Sequence, residues 1–308
     1  MTELFIYVIA ACLGWSLARA ALCAVAATQE AIQAQRPTGL YMQVLALTTT
    51  GVVLLGLSWW IGDMGRLPGD GGTRLTVLIA SIAMALGAFL NGGCYLGSIM
   101  YLGRGKANFL FSLIGIALAA RFNLPEHFGV AAHAILRPQP SNPILAGGTM
   151  VFALLAVSAA WALRRQHNDA VNARLGQTLL AGIWAGALMI HAPGWAYAHV
   201  LNAVGLLGLK PFDWALVGPA LALLIGAVAS CIAAGTWAPA APTWIGAARC
   251  LGGGFVMESA ARCIPGGNDV LLFWVLPGLG GYGLYAYSLM LSTLLLGWRF
   301  FGPKASNV

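Results

Sequence analysis

Long apolar runs alternate with short polar segments along almost the whole chain. Nine such runs lie at about 4–27, 41–62, 75–91, 107–121, 146–163, 177–192, 214–235, 244–261 and 284–301. A helix needs about 20 mainly apolar residues to cross the hydrocarbon core of a bilayer, which is about 30 Å thick. The pattern therefore predicts an all-α polytopic membrane protein with about nine transmembrane helices, in which residues 1–308 form one membrane domain.

The composition narrows the class further. Hydrophobic residues make up 59% of the 308 positions and charged residues only 8%, whereas an ordinary soluble domain has about 25% charged residues. So few charges cannot cover a water-facing surface, which excludes a soluble protein. The net charge of +7 comes from basic residues scattered over short loops. Nucleic acid is therefore not an expected partner, because its binding requires a concentrated basic patch.

The basic residues also predict how the chain is oriented. An odd number of spans puts the two termini on opposite sides of the membrane. The loop that carries Arg164, Arg165 and Arg174 is the most basic, and short basic loops favour the cytoplasmic side. We therefore expect the N-terminus outside and the C-terminus in the cytoplasm. The other basic residues that this orientation places inside are Arg36, Arg104, Lys106, Arg299 and Lys304.

A glycine-rich sequence interrupts the third apolar run where a helix should still be crossing the bilayer. It reads Asn91-Gly92-Gly93-Cys94-Tyr95-Leu96-Gly97-Ser98. Each glycine costs a helix about 1 kcal/mol relative to alanine. The freed backbone groups cannot face lipid, so such a break must be buried in protein or line a polar cavity. The short runs on either side predict two helices joined through a re-entrant loop, of the kind that builds solute sites in transporters.

A similar interruption follows in the second half, where Gly266-Gly267-Asn268-Asp269 comes after Arg262 and Cys263. One broken segment in each half predicts two pseudo-repeated halves, at about 1–163 and 175–308, that meet at a central site. The alternative is a pair of ordinary helix–helix turns that share Gly-Gly.

Four ionisable residues lie in or beside the apolar runs, where charge is costly and by default indicates function. Arg19 precedes Cys23 by four residues, so a continuous helix would put both on one face, where a cation beside a thiol suits an anion. Glu258 and Arg262 are also four apart, and a structural ion pair explains them at least as well. The fourth residue is Asp269.

The six cysteines have no CxxC spacing and no histidines at zinc-ligand spacing, so neither a metal site nor a disulfide framework is expected. Cofactor motifs are absent too. Cys23, Cys94 and Cys263 stand beside an arginine or a break and are candidate functional thiols. Cys12, Cys231 and Cys250 are interpreted as small core residues.

Three motifs resemble the YeeE/YedE family of bacterial inner-membrane sulfur transporters. They are Arg19 to Cys23 followed by Glu30, residues 85–94 followed by Gly97 and Gly103-Arg104-Gly105, and residues 251–262 followed by Gly266-Gly267-Asn268. The family usually has cysteine where this chain has Asn268. Here the third cysteine is Cys263, about one helical turn earlier, which either serves the same pathway or marks a lost cysteine role.

The resemblance implies uptake of a small sulfur-containing anion, most directly thiosulfate, across the bacterial inner membrane. The anion would pass along cysteine thiols at a central constriction, without an enzyme reaction or a cofactor. The partners would be the anion, the lipid bilayer and a cytoplasmic sulfur-carrier protein. The residues expected along the pathway are Cys23, Cys94, Cys263, Arg19, Asn91, Gly92, Gly93, Gly266, Gly267 and Asn268.

Two functions of other classes compete with transport. One is a membrane-embedded thiol oxidoreductase or sulfurtransferase with a cysteine nucleophile, which the lack of CxxC and of an obvious general base disfavours. The other is a non-catalytic membrane subunit of a larger complex, for which the two Gly-Gly breaks would have no purpose.

Overall fold

The computed structural model describes residues 2–61, 66–69, 74–121, 135–136, 142–166, 168–205, 214–264 and 266–302. Helices dominate these residues. They are α1 (Thr2–Ala20), α2 (Ala24–Gln33), α3 (Thr38–Ile61), α4 (Arg74–Asn91), α5 (Tyr95–Gly103), α6 (Asn108–Arg121), α7 (Pro143–Arg164), α8 (Asp169–His191), α9 (Tyr197–Gly205), α10 (Trp214–Ala233), α11 (Trp244–Ala261), α12 (Asn268–Val270) and α13 (Gly283–Phe301). A π-helical segment, Leu271–Val275, continues α12. Two short strands, β1 (Leu67–Pro68) and β2 (Ile135–Leu136), pair antiparallel.

Five helical stretches of the described residues are long and apolar enough to cross a membrane. They are Glu3–Gln33, Thr38–Trp60, Arg74–Gly103, Pro143–Arg164 and Asp169–His191. The chain is thus an all-α membrane protein, as the sequence predicts. Eight of the nine apolar runs each coincide with one helix, and the run 4–27 covers α1 and the start of α2; the crossing of the membrane by all nine stays a prediction.

The outer surface of the described helices is apolar, while part of the interior is polar. Leu154 and Val157 of α7 are about 70% exposed. In contrast, Thr48, Thr49 and Thr50 are buried within α3, where each hydroxyl donates to the carbonyl one turn earlier. An apolar exterior with internally satisfied polar groups is the arrangement that lipid requires.

Contacts along the helices give their relative directions, beginning with α1 and α10. Near the start of both helices, the Tyr7 hydroxyl donates to the Trp214 carbonyl at 2.9 Å. Near their ends, Arg19 Nε donates to Ser230 Oγ at 3.3 Å. The two helices therefore run parallel.

The pair α3 and α8 is parallel as well. Gly182 lies against Ala46 and Thr49, and one turn later Gly186 lies against Val53. A Cβ at either glycine would come within 3 Å of these neighbours, so the absence of side chains allows the close approach.

The helices α4 and α11 run in opposite directions through the centre. Asn91 at the end of α4 contacts Gly253 in the middle of α11, whereas Gly87, one turn earlier, contacts Met257, one turn later. Helix α6 also packs against α11, and α13 packs against α4. Helix α11 is thus held between α4 and α6.

Four helices are interrupted, at 21–23, 92–94, 192–196 and 262–267. We call these segments the first, second, third and fourth breaks. Residue 265 is outside the described part of the fourth break. The backbone turns at residues with positive φ, namely Ala21 (54°), Gly92 (73°), Gly194 (67°) and Gly266 (95°). The second and fourth breaks are those that the Gly-Gly pairs predict. The prediction of a continuous helix over 4–27 was wrong, because the left-handed backbone at Ala21 ends α1 at Ala20. The second break is followed by the separate short helix α5 before α6 begins.

Candidate substrate site where the helix breaks meet

Two thiols from different breaks are in contact at the centre of the molecule. The S–H of Cys94 donates to the sulfur of Cys23, with 3.7 Å between the two Sγ atoms. The N–H of Ala24 also donates to Cys94 Sγ at 3.3 Å. Each cysteine is the N-cap residue of a short helix, α2 or α5. Helix N-termini carry partial positive charge, so the thiol pair lies where two such termini converge.

The space around the pair is closely fitted by Gly97 of α5. A Cβ at Gly97 would lie 2.5 Å from Cys23 Sγ and 3.8 Å from Cys94 Sγ. Both cysteines are about 1% exposed. The thiols are therefore shielded from solvent in this conformation. The absence of a side chain at Gly97 provides the space that they occupy.

The second and fourth breaks are joined directly. The N–H of Tyr95 donates to Asn268 Oδ1 at 3.1 Å, and a Cβ at Gly267 would lie 2.8 Å from the Tyr95 ring. The Asn268 side chain interacts with Cys94 as well. The Asn268 Nδ2 atom is buried and donates no hydrogen bond to any of the described residues. Asn268, Gly267 and Cys94 are thus brought together as the sequence predicts.

The third break completes this meeting point. The Tyr197 hydroxyl, just after the break, donates to the Tyr95 carbonyl at 3.0 Å, and the two rings pack edge to face at 6.0 Å. Gly194 packs against the Trp274 ring of the π-helical segment. Sequence reasoning missed Tyr95 and Tyr197. Their signal was position, because each is the first residue of a short helix after a break.

Asn91 holds the second break in shape. Its Nδ2 donates to the Gly93 carbonyl at 2.6 Å and to Ser98 Oγ at 3.0 Å. Its Oδ1 is buried without a hydrogen-bond donor among the described residues. The Cys250 thiol donates to the Asn91 carbonyl at 3.6 Å. Cys250, interpreted from the sequence as a plain core residue, therefore touches the loop.

Two carboxyl groups are buried beside this loop. Glu258 of α11 is 2% exposed and accepts a hydrogen bond from the Tyr95 hydroxyl at 2.6 Å. Asp269 of α12 is 7% exposed. The Arg262 guanidinium donates to the Ala120 carbonyl at 3.1 Å, and its ion pair with Glu258 stays a prediction.

The structure changes the expectation for Arg19. Because α1 ends at Ala20, helical spacing does not put Arg19 and Cys23 on one face, and that premise was wrong. The half-buried guanidinium instead donates to Ser230 Oγ and lies 5.1 Å from the Trp15 ring centre. Its nearest described contacts are thus structural ones between α1 and α10.

Cys263 is not brought to the thiol pair. Its S–H donates to the Ser259 carbonyl at 3.4 Å within the same helix region. The side chain lines a groove of about 380 Å³ between α4 and α11, together with the exposed residues Leu75 and Ile79. This groove opens toward the apolar outer surface, and Cys94 is not among its lining residues.

A polar cavity of about 460 Å³ opens at one end of the helices, between the α2–α3 and α7–α8 connections. Its charged lining residues are Glu30, Arg36 and Arg174. Arg174 Nε donates to the Ala20 carbonyl at 3.2 Å, at the edge of the first break. Arg174 therefore connects the wall of this cavity to the backbone at the end of α1.

Within the described ranges, no cluster of three or more His, Cys, Asp or Glu residues is placed to hold a metal ion. Comparison of the chain with protein-family models gave no match, and comparison with curated proteins gave none either.

Proposed function

We propose that this chain is a membrane transporter for a small sulfur-containing anion, most directly thiosulfate, and that Cys23 and Cys94 pass the anion through the centre. The observation that carries the proposal is the contact between these two thiols at the meeting point of four helix breaks. Irregular backbone at the centre of a membrane protein is stable only in protein or around a polar site. Broken helices that meet in this way are typical of transporter solute sites.

The order of elements supports two pseudo-repeated halves. Helix α1, the first break, α2, α3, α4, the second break, α5 and α6 follow one another in the first half. After α7, the same order returns as α8, the third break, α9, α10, α11, the fourth break, the segment α12 to Val275, and α13. The parallel pair of α1 and α10 then corresponds to the parallel pair of α8 and α3, and α4 with α11 forms the antiparallel pair on the axis. This is the pattern of an inverted repeat.

The proposed orientation is nine crossings, with the N-terminus outside and the C-terminus in the cytoplasm of a bacterial inner membrane. Contacts among the loops support a common basic end. Arg36 and Arg174 line one cavity. The backbone of Lys106 forms a β-bridge with Ala240, in the α10–α11 connection. The Trp298 indole N–H, one residue before Arg299, donates to the Val25 carbonyl of α2. Basic loops favour the cytoplasmic side. Lys304 lies outside the described residues.

The chemistry of the centre suits a soft anion. A neutral thiol is a weak hydrogen-bond donor, so it binds a polarisable sulfur anion without holding it strongly. Weak successive sites are what permeation requires. The converging N-termini of α2 and α5 add positive potential, and the cavity around Arg36 and Arg174 offers a polar approach from one side.

A thiol–disulfide exchange enzyme is the second candidate, and the same sulfur contact favours it. In that reaction Cys23 and Cys94 would lose two protons and two electrons and form an S–S bond, while a substrate disulfide would accept them and become two thiols. The sulfurs would close from 3.7 Å to the disulfide length of about 2.05 Å. This candidate requires access for a substrate to two buried thiols.

Uptake of radiolabelled thiosulfate by proteoliposomes separates the candidates. The transporter accumulates label above protein-free liposomes, and unlabelled thiosulfate competes far better than sulfate, which lacks the terminal sulfur. Absence of uptake together with reduction of a small disulfide would establish the exchange enzyme instead. Absence of both activities in folded protein would favour a non-catalytic subunit.

A further inference from the structure

Asp269 is a buried carboxyl that the thiol pathway does not use. It follows the fourth break in the first turn of α12 and is more than nine-tenths buried. Its Oδ1 atom has no hydrogen-bond partner in the part of the chain that the structure describes. A buried polar group without a partner is costly, and a charged group inside a membrane protein by default indicates function.

The orphaned oxygen points into the meeting point of the breaks. A methyl group at Gly267 would lie 2.6 Å from Asp269 Oδ1 and 2.8 Å from the Tyr95 ring, so carboxyl and ring share one small space. The titratable groups that face Asp269 from the neighbouring elements are Cys94, Tyr95, Tyr197 and Glu258. Two carboxyl groups and a thiol therefore lie close enough around Tyr95 to interact electrostatically.

The two carboxyl groups have different environments. Glu258 accepts the Tyr95 hydroxyl at 2.6 Å, a charge-assisted bond that stabilises a carboxylate. The Asp269 carboxyl interacts with the backbone N–H groups of Asp269 and Val270, and its Oδ1 accepts no hydrogen bond from the described residues. An ionised Asp269 would repel an anion at Cys94, whereas a protonated Asp269 would remove that charge and offer an O–H donor. Binding of the proton and binding of the anion are then linked, and each strengthens the other by the same factor.

We propose that Asp269 binds a proton together with the anion, so that the chain is a proton–anion symporter; this rests on the transport function proposed above. The proton adds to the Asp269 carboxylate when the anion enters and leaves it when the anion is released. An inward proton gradient then drives accumulation of the anion.

Proton movement is measured with a pH-sensitive dye inside proteoliposomes while radiolabelled thiosulfate is added outside. Wild-type protein is expected to acidify the lumen as label enters, and an acidic exterior is expected to raise accumulation. Label uptake with no change of internal pH would overturn the inference and leave the transport function standing. Absence of label uptake in wild-type liposomes would instead overturn the transport function on which it rests.

Asp269→Asn tests the residue itself, since it keeps the shape and removes the titrating group. We expect proton flux to be lost, because the amide cannot bind the proton, while exchange of internal for external thiosulfate continues. The matched acid-to-amide control is Glu3→Gln, at the exposed start of α1, which should behave as wild type. Unchanged proton flux in Asp269→Asn would contradict the assignment. If that variant does not fold, Asp269→Ser is expected to lose the flux and Asp269→Glu to keep it.

Discussion

The sulfur atoms of Cys23 and Cys94 lie 3.7 Å apart, although the two residues follow different helices that end at different breaks. Each cysteine is the N-cap residue of a short helix, and Ala24 of one helix donates its N–H to the cysteine of the other. The contact joins two interruptions that are 71 residues apart in the sequence. It is the geometric basis of the transport proposal.

Gly97→Ala tests whether the space beside the two thiols is needed. The added methyl group would lie 2.5 Å from Cys23 Sγ, so it should push the thiols apart and abolish thiosulfate uptake in protein that still folds. The control is Gly176→Ala in α8, where an added Cβ meets nothing within 4 Å. That change should keep uptake and stabilise the exposed helix by up to about 1 kcal/mol. Normal uptake by Gly97→Ala would show that the fitted space has no role.

Oxidation should link the two thiols. In a protein in which Cys12, Cys231, Cys250 and Cys263 are replaced by alanine, a membrane-permeant oxidant should remove both remaining thiols and stop uptake. A reducing agent should restore the two free thiols and the uptake. The matched protein keeps Cys23 and Cys231 instead, and should retain two free thiols. Failure of Cys23 and Cys94 to cross-link would contradict their contact.

Reporter fusions test the orientation. A reporter that is active only in the cytoplasm should be active after Val308 and inactive within the loop 121–143, most of which lies outside the described residues. The basis is the cluster of basic residues at one end of the helices. The opposite pair of activities would reverse the orientation, and two active fusions would contradict the five crossings expected between this loop and the C-terminus.

Arg19→Ala separates two roles for this residue. If Arg19 holds the anion, uptake should disappear while abundance in the membrane stays near normal, and Arg19→Lys should rescue only partly because lysine lacks the planar fork. If the bond to Ser230 Oγ matters more, abundance should fall. Ser230→Ala should then lower abundance too, and the double variant should lose less than the sum of the two single losses. Normal uptake and abundance in Arg19→Ala would exclude both roles.

The sequence predicts the helical membrane class and two of the four breaks. Gly92 and Gly266 predict the second and fourth breaks, because glycine adopts positive φ without steric cost. Nothing in composition marks Ala21, which holds a φ of 54° without being glycine, so the sequence predicts a continuous helix across the first break. The expectation that Arg19 and Cys23 share one face follows from that helix.

The sequence also does not predict which residues contact each other across the fold. Cys263 follows an arginine and precedes a glycine pair just as a pathway thiol would, yet it lies just after α11, in the fourth break, and lines the outer groove. Cys250, within α11, contacts Asn91. The rotation of α11 is fixed by its contacts with α4 and α6, where Gly253 meets Asn91 and Gly254 meets Ser112. Such long-range packing is not encoded in local spacing.

Uptake of radiolabelled thiosulfate by Cys94→Ala and Cys94→Ser proteoliposomes tests the central claim most directly. Serine keeps the size and strengthens the hydrogen-bond donor but loses the soft sulfur, so both variants should be inactive in protein that inserts and folds as wild type. Cys231→Ala is the control, because Cys231 is equally buried on α10; Cys250 is unsuitable because its thiol touches Asn91. Inactive Cys94 variants beside an active Cys231→Ala protein are the predicted result. Wild-type uptake by Cys94→Ala would contradict the thiol pathway.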